Sequence, residues 1–362
     1  MKAAVSCLFF VALFVIAFPK ALAQPTPLFQ TKKMDQLKIV MAESFYQGMA
    51  IVGTRNEDGY KFGYINKAGK LVIKPQFNGA GNFADGLAPV GIGNKFGYIN
   101  KTGSVAIKPQ FDEAEFFSEG LARVGIRAKY GYVDQKGKLV VKVQFDEAKR
   151  YSSGLAVVGI NNKMGYIDKK GFLAIKPQFD GAGSFSEGLA VVEINNKRGY
   201  IDTTGKIVVK PQFDEAAPFS EKLALVRIKD KYGYIDQVGK IVIPLQFDGM
   251  DVEEIPPKEP GAFSFSNGLA SVRINGKRGY INKSGKVVIP PQFDRAGNFS
   301  EGIAGVQMDD KIGYIDTTGK LIIKPQFDWA ERFSEQVAVV LRGNQWGYIN
   351  KTGKDVIVFS SQ

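Results

Sequence analysis

The chain has 362 residues, with 48 Lys and Arg against 36 Asp and Glu, a formal charge of +12 at pH 7, no histidine and a single cysteine, Cys7. Without histidine or a second cysteine, it cannot build a zinc or copper site from imidazole and thiolate ligands, and it lacks the most common general base. The basic excess indicates solubility and attraction to anionic surfaces, and does not by itself indicate a nucleic-acid interface.

The first 23 residues have the features of a signal peptide. Lys2 gives a positive start, Ala3–Phe18 is an apolar run, and Ala21–Ala23 offers the small residues that signal peptidase requires. The run is shorter than the ~20 residues that cross a bilayer, which favours a cleaved signal over an uncleaved anchor. Cleavage near Ala23 removes Cys7 and so excludes disulfides. We predict an exported protein, secreted or periplasmic, without a transmembrane segment after cleavage.

Residues 24–44 are a predicted leader and N-terminal cap. The stretch Gln24–Lys33 is polar and contains proline, so we expect it to be disordered. The repeat array is predicted to begin at Phe45.

A Gly-Tyr pair recurs nine times in the rest of the chain. It occurs at Gly63-Tyr64, Gly97-Tyr98, Gly131-Tyr132, Gly165-Tyr166, Gly199-Tyr200, Gly233-Tyr234, Gly279-Tyr280, Gly313-Tyr314 and Gly347-Tyr348. Successive pairs are 34 residues apart, except for one interval of 46 residues between the sixth and seventh copies. A fixed period indicates a tandem repeat protein whose units pack on their neighbours. Residues 45–362 are therefore predicted to form a single array of nine units.

Each unit is predicted to contain three antiparallel strands. In one unit, Leu189–Ile194 alternates apolar residues with a period of two, and a short Asn-containing turn leads to a second strand, Arg198–Ile201. Asp202–Gly205 has the composition of a type I turn closed by glycine. The third strand, Lys206–Phe213, has consecutive apolar residues, so we expect both of its faces to be buried. The following segment, Asp214–Glu221, is predicted to link the strands to the next unit.

Nine such units contain about 27 strands, too many for one flat sheet. They must coil into a superhelix or stack radially as blades. Propellers usually have four to eight blades of four strands each, and nine units of three strands fit that description poorly. We therefore predict an all-β fold in which the repeats form an open, curved β-solenoid, with a closed, propeller-like ring as the alternative.

The repeated motifs resemble a known family. The strings Gly-Tyr-Ile-Asp/Asn-x-x-Gly-Lys, Ile-x-Pro-Gln-Phe and Phe-Ser-Glu-Gly-Leu-Ala are similar to the bacterial WG repeat, also called the KWG repeat, and the resemblance extends from Phe45 to about Phe359. The namesake Trp is kept only at Trp346-Gly347. The resemblance implies a β-rich interaction module, often in exported or surface proteins, without established catalytic activity and without a defined ligand.

One position varies among the copies, the residue before Gly-Tyr. It is Phe62, Phe96, Tyr130, Met164, Arg198, Tyr232, Arg278, Ile312 or Trp346. Large aromatic residues and arginine are enriched where proteins bind partners, so the aromatic and arginine members are candidate binding residues. The alternative is a half-exposed strand position that accepts any bulky side chain.

Two rows of lysines are in phase with the repeat. One stands two residues before the Gly of Gly-Tyr and consists of Lys61, Lys95, Lys129, Lys163, Lys197, Lys231, Lys277 and Lys311. The other consists of Lys74, Lys108, Lys142, Lys176, Lys210 and Lys324. Such stripes could attract an anionic glycan or membrane surface, with Lys95, Lys163 and Lys231 as candidate binding residues. The alternative is a solvated face that protects strand edges.

The link between the sixth and seventh units is 12 residues longer than the others, at 249–261, and it is acidic and rich in proline. Insertions in repeat arrays often lie on the binding face, which makes Glu253 and Glu254 candidate binding residues, whereas the alternative is a tolerated surface loop.

These patterns predict a non-enzymatic binding scaffold for an unknown protein or an anionic cell-envelope glycan. We predict no cofactor, no metal, no nucleic-acid partner and a monomeric state. A structural spacer of the cell envelope is the alternative, and a carboxylate-based glycan-active enzyme is a minor one.

Overall fold

The computed structural model describes residues 38–57, 59–248 and 263–359, all within one unit of the chain, Thr31–Gln362. The predicted signal peptide, most of the leader and the acidic insertion with Glu253 and Glu254 lie outside the described residues. Every regular element in the described ranges is a β-strand, so no helix there could cross a membrane.

The described strands form nine small antiparallel sheets, which we number as blades 1 to 9 in chain order. Blade 1 consists of β1 Ile39–Ala42, β2 Met49–Asn56, β3 Gly59–Asn66 and β4 Leu71–Phe77. Blade 2 consists of β5 Gly79–Ala80, β6 Leu87–Ile92, β7 Lys95–Asn100 and β8 Val105–Phe111. Blade 3 consists of β9 Glu113–Ala114, β10 Leu121–Ile126, β11 Lys129–Asp134 and β12 Leu139–Phe145.

Blade 4 consists of β13 Glu147–Ala148, β14 Leu155–Ile160, β15 Lys163–Asp168 and β16 Leu173–Phe179. Blade 5 consists of β17 Gly181–Ala182, β18 Leu189–Ile194, β19 Lys197–Asp202 and β20 Ile207–Phe213. Blade 6 consists of β21 Glu215–Ala216, β22 Ala224–Ile228, β23 Lys231–Ile235 and β24 Ile241–Phe247. Blade 7 consists of β25 Leu269–Ile274, β26 Lys277–Asn282 and β27 Val287–Phe293. Blade 8 consists of β28 Arg295–Ala296, β29 Ile303–Met308, β30 Lys311–Asp316 and β31 Leu321–Phe327. Blade 9 consists of β32 Trp329–Ala330, β33 Val337–Arg342, β34 Gln345–Asn350 and β35 Asp355–Val358.

Eight of the nine described blades have four strands where the sequence predicted three. In seven of them the segment predicted as a link contributes a two-residue strand, such as β21, which pairs with β22 at Arg227 and Val226, and in blade 1 the extra strand is β1, within the predicted leader and N-terminal cap. Two residues are too few to show an alternating pattern, so the periodicity missed this strand. Blade 7 has three strands within the described ranges.

The glycine of each Gly-Tyr pair lies under a bulge of the fourth strand. In blade 3, the register between β11 and β12 shifts at this point. A Cβ on Gly131 would lie 2.6 Å from the carbonyl oxygen of Val141 and 2.8 Å from the nitrogen of Val143. A Cβ added to any of the other eight Gly-Tyr glycines would lie 2.4–2.8 Å from the equivalent carbonyl oxygen. Glycine is required here by the close approach of two backbones rather than by a turn.

The hydrophobic core lies between neighbouring blades. One cluster combines Leu121, Tyr132 and Phe145 of blade 3 with Val158 and Ile167 of blade 4. The equivalent clusters fill the spaces between the other blades. The core is therefore a set of layers around a ring, and each layer depends on two blades.

The tyrosine of each Gly-Tyr pair is buried in this core and reaches the next blade. The Tyr132 hydroxyl donates a hydrogen bond to the carbonyl of Lys149 at 2.6 Å, and its ring packs against that of Tyr151 with centroids 4.8 Å apart. All nine tyrosines donate to the equivalent carbonyl, at 2.6–2.8 Å. Burial raises the pKa of the Tyr132 hydroxyl well above its usual range, so it keeps its proton and remains a donor.

Blade 9 contacts blade 1 as every other blade contacts the next. Tyr348 donates to the carbonyl of Glu43 at 2.6 Å, and Ser334 Oγ donates to the carbonyl of Phe45 at 2.8 Å. The ring is closed, and the fold is a nine-bladed β-propeller. The prediction of an open solenoid is wrong and the closed-ring alternative is confirmed. The 34-residue period defines the unit but not the rotation between units, and a rotation of about 40° closes nine blades.

The turns between the first and second strands lie closest to the ring axis. Ser186 Oγ donates to the carbonyl of Phe219 at 2.7 Å, and the Glu187 carboxylate accepts from the backbone N–H of Glu221 at 2.8 Å. These contacts join equivalent turns of neighbouring blades, and equivalent points in a radial array are closest near the axis. The fourth strand is at the opposite edge of each four-stranded sheet and is outermost.

The fourth strand is half-exposed, so the prediction that both of its faces are buried is wrong. In β20, Val209 and Phe213 are buried, whereas Ile207 and Lys210 are exposed. The strand is an edge strand that the neighbouring blade covers on one face, and its consecutive apolar residues do not reflect burial on both sides.

Replacing Gly131 by alanine is expected to lower the unfolding free energy by about 2–4 kcal/mol, because the new Cβ overlaps the bulge of β12. Gly120→Ala is the matched control: its φ is +85° but nothing lies within 4 Å of the new Cβ, so about 1 kcal/mol is expected. Urea denaturation followed by circular dichroism measures both. Equal losses would contradict the account of the bulge.

Glu43 makes the junction of blades 9 and 1 sensitive to pH. Burial, with a contribution from nearby Glu331, raises the pKa of Glu43 from 4.5 to about 7. The folded state therefore binds more protons than the unfolded state between these values, and stability falls as the pH rises from about 4.5 to 7. Glu43→Gln is expected to be more stable than the wild type by up to about 3 kcal/mol at pH 8, with the difference disappearing near pH 4.5. Parallel pH profiles of the two proteins in urea titrations would contradict this assignment.

Candidate functional site

The variable residue before each Gly-Tyr pair belongs to a row of residues across its blade. In blade 3, Tyr130 on the third strand faces Gly125 on the second, which faces Glu113 on the first. We call this set of facing residues the cross-strand row. The predicted binding residues Phe62, Phe96, Tyr130, Arg198, Tyr232, Arg278 and Trp346 all occupy the same place in their blades. The structure therefore spreads them over seven blades and does not bring them together into one site.

The polar members of these rows are matched to partners within the row. The Tyr130 hydroxyl donates to Glu113 at 3.2 Å, and that of Tyr232 donates to Glu215 at 2.9 Å. In blade 5, Arg198 Nε donates to Glu193 at 3.2 Å. In these three blades the residue before Gly-Tyr therefore has a polar partner within its own row.

The apolar members are matched by size. A Cβ on Gly53 would lie 3.4 Å from the Phe62 ring, and one on Gly91 would lie 3.5 Å from the Phe96 ring, so each ring is accommodated by a glycine.

Two other members are also packed against neighbours. Trp346 packs against Trp329, with ring centroids 5.2 Å apart. Arg278 is 1% exposed, and its guanidinium lies 4.4 Å from the centre of the Phe263 ring. Packing within the blade explains these residues at least as well as binding does.

Seven of the eight lysines of the first row are ion-paired, and the eighth, Lys61, donates to the side-chain oxygen of Asn78. Lys163 lies 2.5 Å from Asp180 and Lys231 lies 2.5 Å from Asp248, while Lys95 pairs with Asp112 in the same way. The second oxygen of Asp180 accepts from the backbone N–H of Asn195, on the next blade, at 2.8 Å. These two interactions hold the pKa of the Asp180 carboxyl below its usual value. The row therefore joins neighbouring blades and is not an unpaired cationic stripe.

The lysines of the outermost strands form no ion pairs within the described residues, in contrast, although Lys206 and Lys320 interact electrostatically with Asp202 and Asp316. We define the outer rim as the nine segments that run from the residue after the turn glycine through the fourth strand. They are residues 70–77, 104–111, 138–145, 172–179, 206–213, 240–247, 286–293, 320–327 and 354–359. The rim contains thirteen exposed lysines, and no ammonium group among them is paired within the described residues. They are Lys70, Lys74, Lys108, Lys138, Lys142, Lys176, Lys206, Lys210, Lys240, Lys286, Lys320, Lys324 and Lys354. Asp355 is the only acid of the rim, and it is buried against Arg342 at 2.8 Å.

The outer rim also carries most of the exposed apolar surface. Sixteen large apolar side chains are exposed in the described residues, and fourteen of them lie in the rim. They are Val72, Val105, Leu139, Val140, Phe172, Leu173, Ile207, Ile241, Val242, Val287, Val288, Leu321, Ile322 and Val356. These residues are distributed over all nine blades, one or two in each.

The rim strands are protected against pairing with further strands. In blade 1, Pro75 has no N–H, and Gln76 Nε2 donates to the carbonyl of Lys74 at 3.3 Å. Three other blades have the same glutamine contact. Proline and occupied carbonyls are common means of blunting an exposed edge.

One asymmetric polar cluster was not predicted. Arg123 Nη2 lies 2.7 Å from Glu115 and Nη1 lies 3.4 Å from Glu113, and the guanidinium lies 4.5 Å from the centre of the Tyr130 ring. Arg150 of blade 4 lies 3.8 Å from Glu115. The sequence indication was an arginine inside an apolar strand. Both carboxylates are held by the Arg123 guanidinium, which explains the cluster as a junction between blades. In the described residues, no group of three or more potential ligands could hold a metal ion.

The chain belongs to the family of proteins with WG-containing repeats. The family model matches nine consecutive segments of the chain, at residues 62–96, 96–130, 130–163, 164–197, 199–232, 232–254, 255–277, 279–311 and 312–346. The resemblance seen in the sequence motifs is therefore confirmed. No curated protein matches the chain in sequence.

Several solved structures are distantly similar. The dihydro-heme d1 dehydrogenase NirN is 11% identical, with a TM-score of 0.44 over 91% of this chain and 80% of that chain. A puromycin hydrolase is 10% identical, with a TM-score of 0.38 over 87% of this chain. KlHsv2 with loop 6CD replaced by a Gly-Ser linker is 11% identical, with a TM-score of 0.37 over 87% of this chain and 93% of that chain. The chain spans 59% of the length of the puromycin hydrolase. Nothing about activity follows from similarities this low.

The hydrogen bonds within the cross-strand rows predict which of two Tyr→Phe variants loses more stability. Tyr232→Phe removes a 2.9 Å hydrogen bond from a residue that is 8% exposed, and about 1 kcal/mol of stability should be lost. Tyr130→Phe removes a 3.2 Å bond at a more exposed position, so its loss should be smaller. Thermal unfolding of the two variants compares them, and a larger loss for Tyr130→Phe would contradict the matching.

Proposed function

We propose that this WG-repeat propeller is a non-enzymatic, exported binding scaffold that uses its outer rim to contact a protein or an anionic cell-envelope glycan. The observation that carries the proposal is the outer rim itself. It has thirteen lysines that form no ion pair within the described residues, beside fourteen exposed apolar side chains. Exposing apolar side chains to water is unfavourable, and a binding partner that covers them removes this cost. A passive spacer has no such partner.

The remaining conspicuous features have structural partners. Seven of the eight lysines of the first row pair with aspartates, Lys61 contacts Asn78, and the inner carboxylates such as Glu187 accept backbone N–H groups of the next blade. Within the described residues, the rim therefore holds most of the lysines that have no ion-paired acid.

The composition of the rim also supports a binding role over catalysis. An enzyme acting through carboxylates needs two acids placed around a substrate. The rim offers one acid, Asp355, and that acid is buried and paired. Its cations alternate with aliphatic side chains instead of the stacked aromatics used for single-stranded nucleic acid, which supports a partner other than nucleic acid.

Two variants with the same change of charge test the proposal. The rim variant replaces eight unpaired lysines by glutamine, at Lys70, Lys74, Lys138, Lys142, Lys206, Lys210, Lys320 and Lys324. The control variant replaces the eight lysines of the first row, at Lys61, Lys95, Lys129, Lys163, Lys197, Lys231, Lys277 and Lys311.

Each purified, folded protein is tested for saturable binding to the protein fraction and to the polysaccharide fraction of a bacterial cell-envelope extract. We expect the wild type and the control variant to bind at least one fraction, and the rim variant to lose that binding. Binding of none of the proteins, or the loss of binding by the control variant alone, would contradict the proposal.

Export is tested separately by N-terminal sequencing of the protein after expression with residues 1–23 in a secreting bacterium. The expected mature N-terminus is Gln24, because Ala21–Ala23 has the pattern of a signal peptidase site. Retention of Met1 or Lys2 would contradict it.

A further inference from the structure

The charge of the outer rim defines the charge of its partner. Among the described residues, thirteen lysines face solvent there without an ion-paired acid, whereas seven of the eight lysines nearer the hairpin turns are neutralised by aspartates such as Asp180. Charge complementarity between surfaces steers association and excludes partners of the same sign. The partner that fits this surface is acidic.

The aliphatic side chains define the rest of its chemistry. In blades 1, 3, 5 and 8, two lysines flank a short apolar stretch, as Lys138 and Lys142 flank Leu139 and Val140, which are 44% and 38% exposed. Covering these side chains is favourable only if the partner brings apolar surface to them. A polysaccharide presents hydroxyl groups on every sugar and gains little from such contact. A polypeptide supplies carboxylates and aliphatic groups side by side.

The spacing of the lysines defines the shape of the partner. The two lysines of a rim strand are four residues apart, which is roughly 13 Å along an extended strand. An extended segment reaches both of them when its acidic residues are separated by three other residues. Pro75 and the Gln76 side chain block strand addition at that end of the edge, so the contact depends on side chains.

The repetition of the rim favours a partner with repeated segments. One exposed ion pair contributes little, about 0–1 kcal/mol, so a single segment binds weakly. Segments joined by flexible linkers bind as a unit once the first has bound, because their effective concentration is high.

We infer that the outer rim binds an extended acidic polypeptide in which apolar residues lie between the acidic ones, with several copies along the partner. This inference rests on the proposed binding function and names its partner class.

The probe is a fluorescein-labelled synthetic peptide with three copies of a segment Glu-Val-Ser-Val-Glu, joined by Gly-Ser linkers. One matched peptide replaces each Glu by Gln and another replaces each Val by Ser. Fluorescence anisotropy measures binding to the wild type, the rim variant and the control variant at two salt concentrations. We expect wild-type binding that weakens with salt, with losses of about tenfold or more for each altered peptide and for the rim variant, and none for the control variant.

Equal binding of the Val and Ser peptides would overturn the inference, because the apolar side chains would then have no part in it. Tighter binding of polygalacturonate, or of phosphatidylglycerol vesicles, than of the peptide would overturn it as well. If the rim variant loses binding to the envelope polysaccharide fraction while no peptide binds, the inference fails and the proposed function stands. If the wild type binds none of the probes and neither fraction, both fail.

Discussion

A buried tyrosine hydroxyl donates to a backbone carbonyl of the next blade at every one of the nine junctions. This bond fixes the distance between blades, because a buried hydroxyl without an acceptor costs free energy. It also explains the neighbouring glycine, since the strand that carries the tyrosine lies directly under the bulge of the fourth strand. Gly131 and Tyr132 thus act together: close backbone packing at the glycine places the tyrosine hydroxyl where it reaches the next blade. The same pair at all nine junctions joins the blades into a closed ring.

The same arrangement gives the inner and outer surfaces of the molecule different roles. Near the axis and at the hairpin turns, charged groups are used to join blades, as the Lys163–Asp180 pair and the Glu187 carboxylate illustrate. At the outer edge no fifth strand pairs with the fourth strand, and the neighbouring blade covers only one of its faces, so its lysines and several aliphatic side chains remain exposed. The basic excess of the chain is therefore concentrated where the fold leaves a surface uncovered, and this is the physical basis of the proposed binding role.

The repeat period, the strands of Leu189–Ile194 and Lys206–Phe213, and the family were predictable because each depends on local pattern. The short strand Glu215–Ala216 was not, because two residues carry no periodicity. Ring closure depends on the rotation between units, which arises from contacts such as Ser334 to Phe45, 289 residues apart.

The pairing of the first lysine row could have been anticipated from the aspartate 17 residues after nearly every one of these lysines. The exposure of the fourth strand could not have been anticipated, because a run of apolar residues has the same pattern in a buried strand and in an edge strand.

Blade 9 meets blade 1 and so closes the ring. Lys67 Nζ lies 3.0 Å from the Glu335 carboxylate, although the two residues are far apart in the chain. A carbodiimide, which joins an amine to a carboxylate without a spacer, should therefore link them within the monomer. The equivalent pairs Lys169–Glu119, Lys283–Glu221 and Lys351–Glu301, at 2.9–3.1 Å, provide internal references between consecutive blades. Mass spectrometry of the digested monomer should find the Lys67–Glu335 link at a yield similar to the references. Efficient reference links without the Lys67–Glu335 link would show that the array is open.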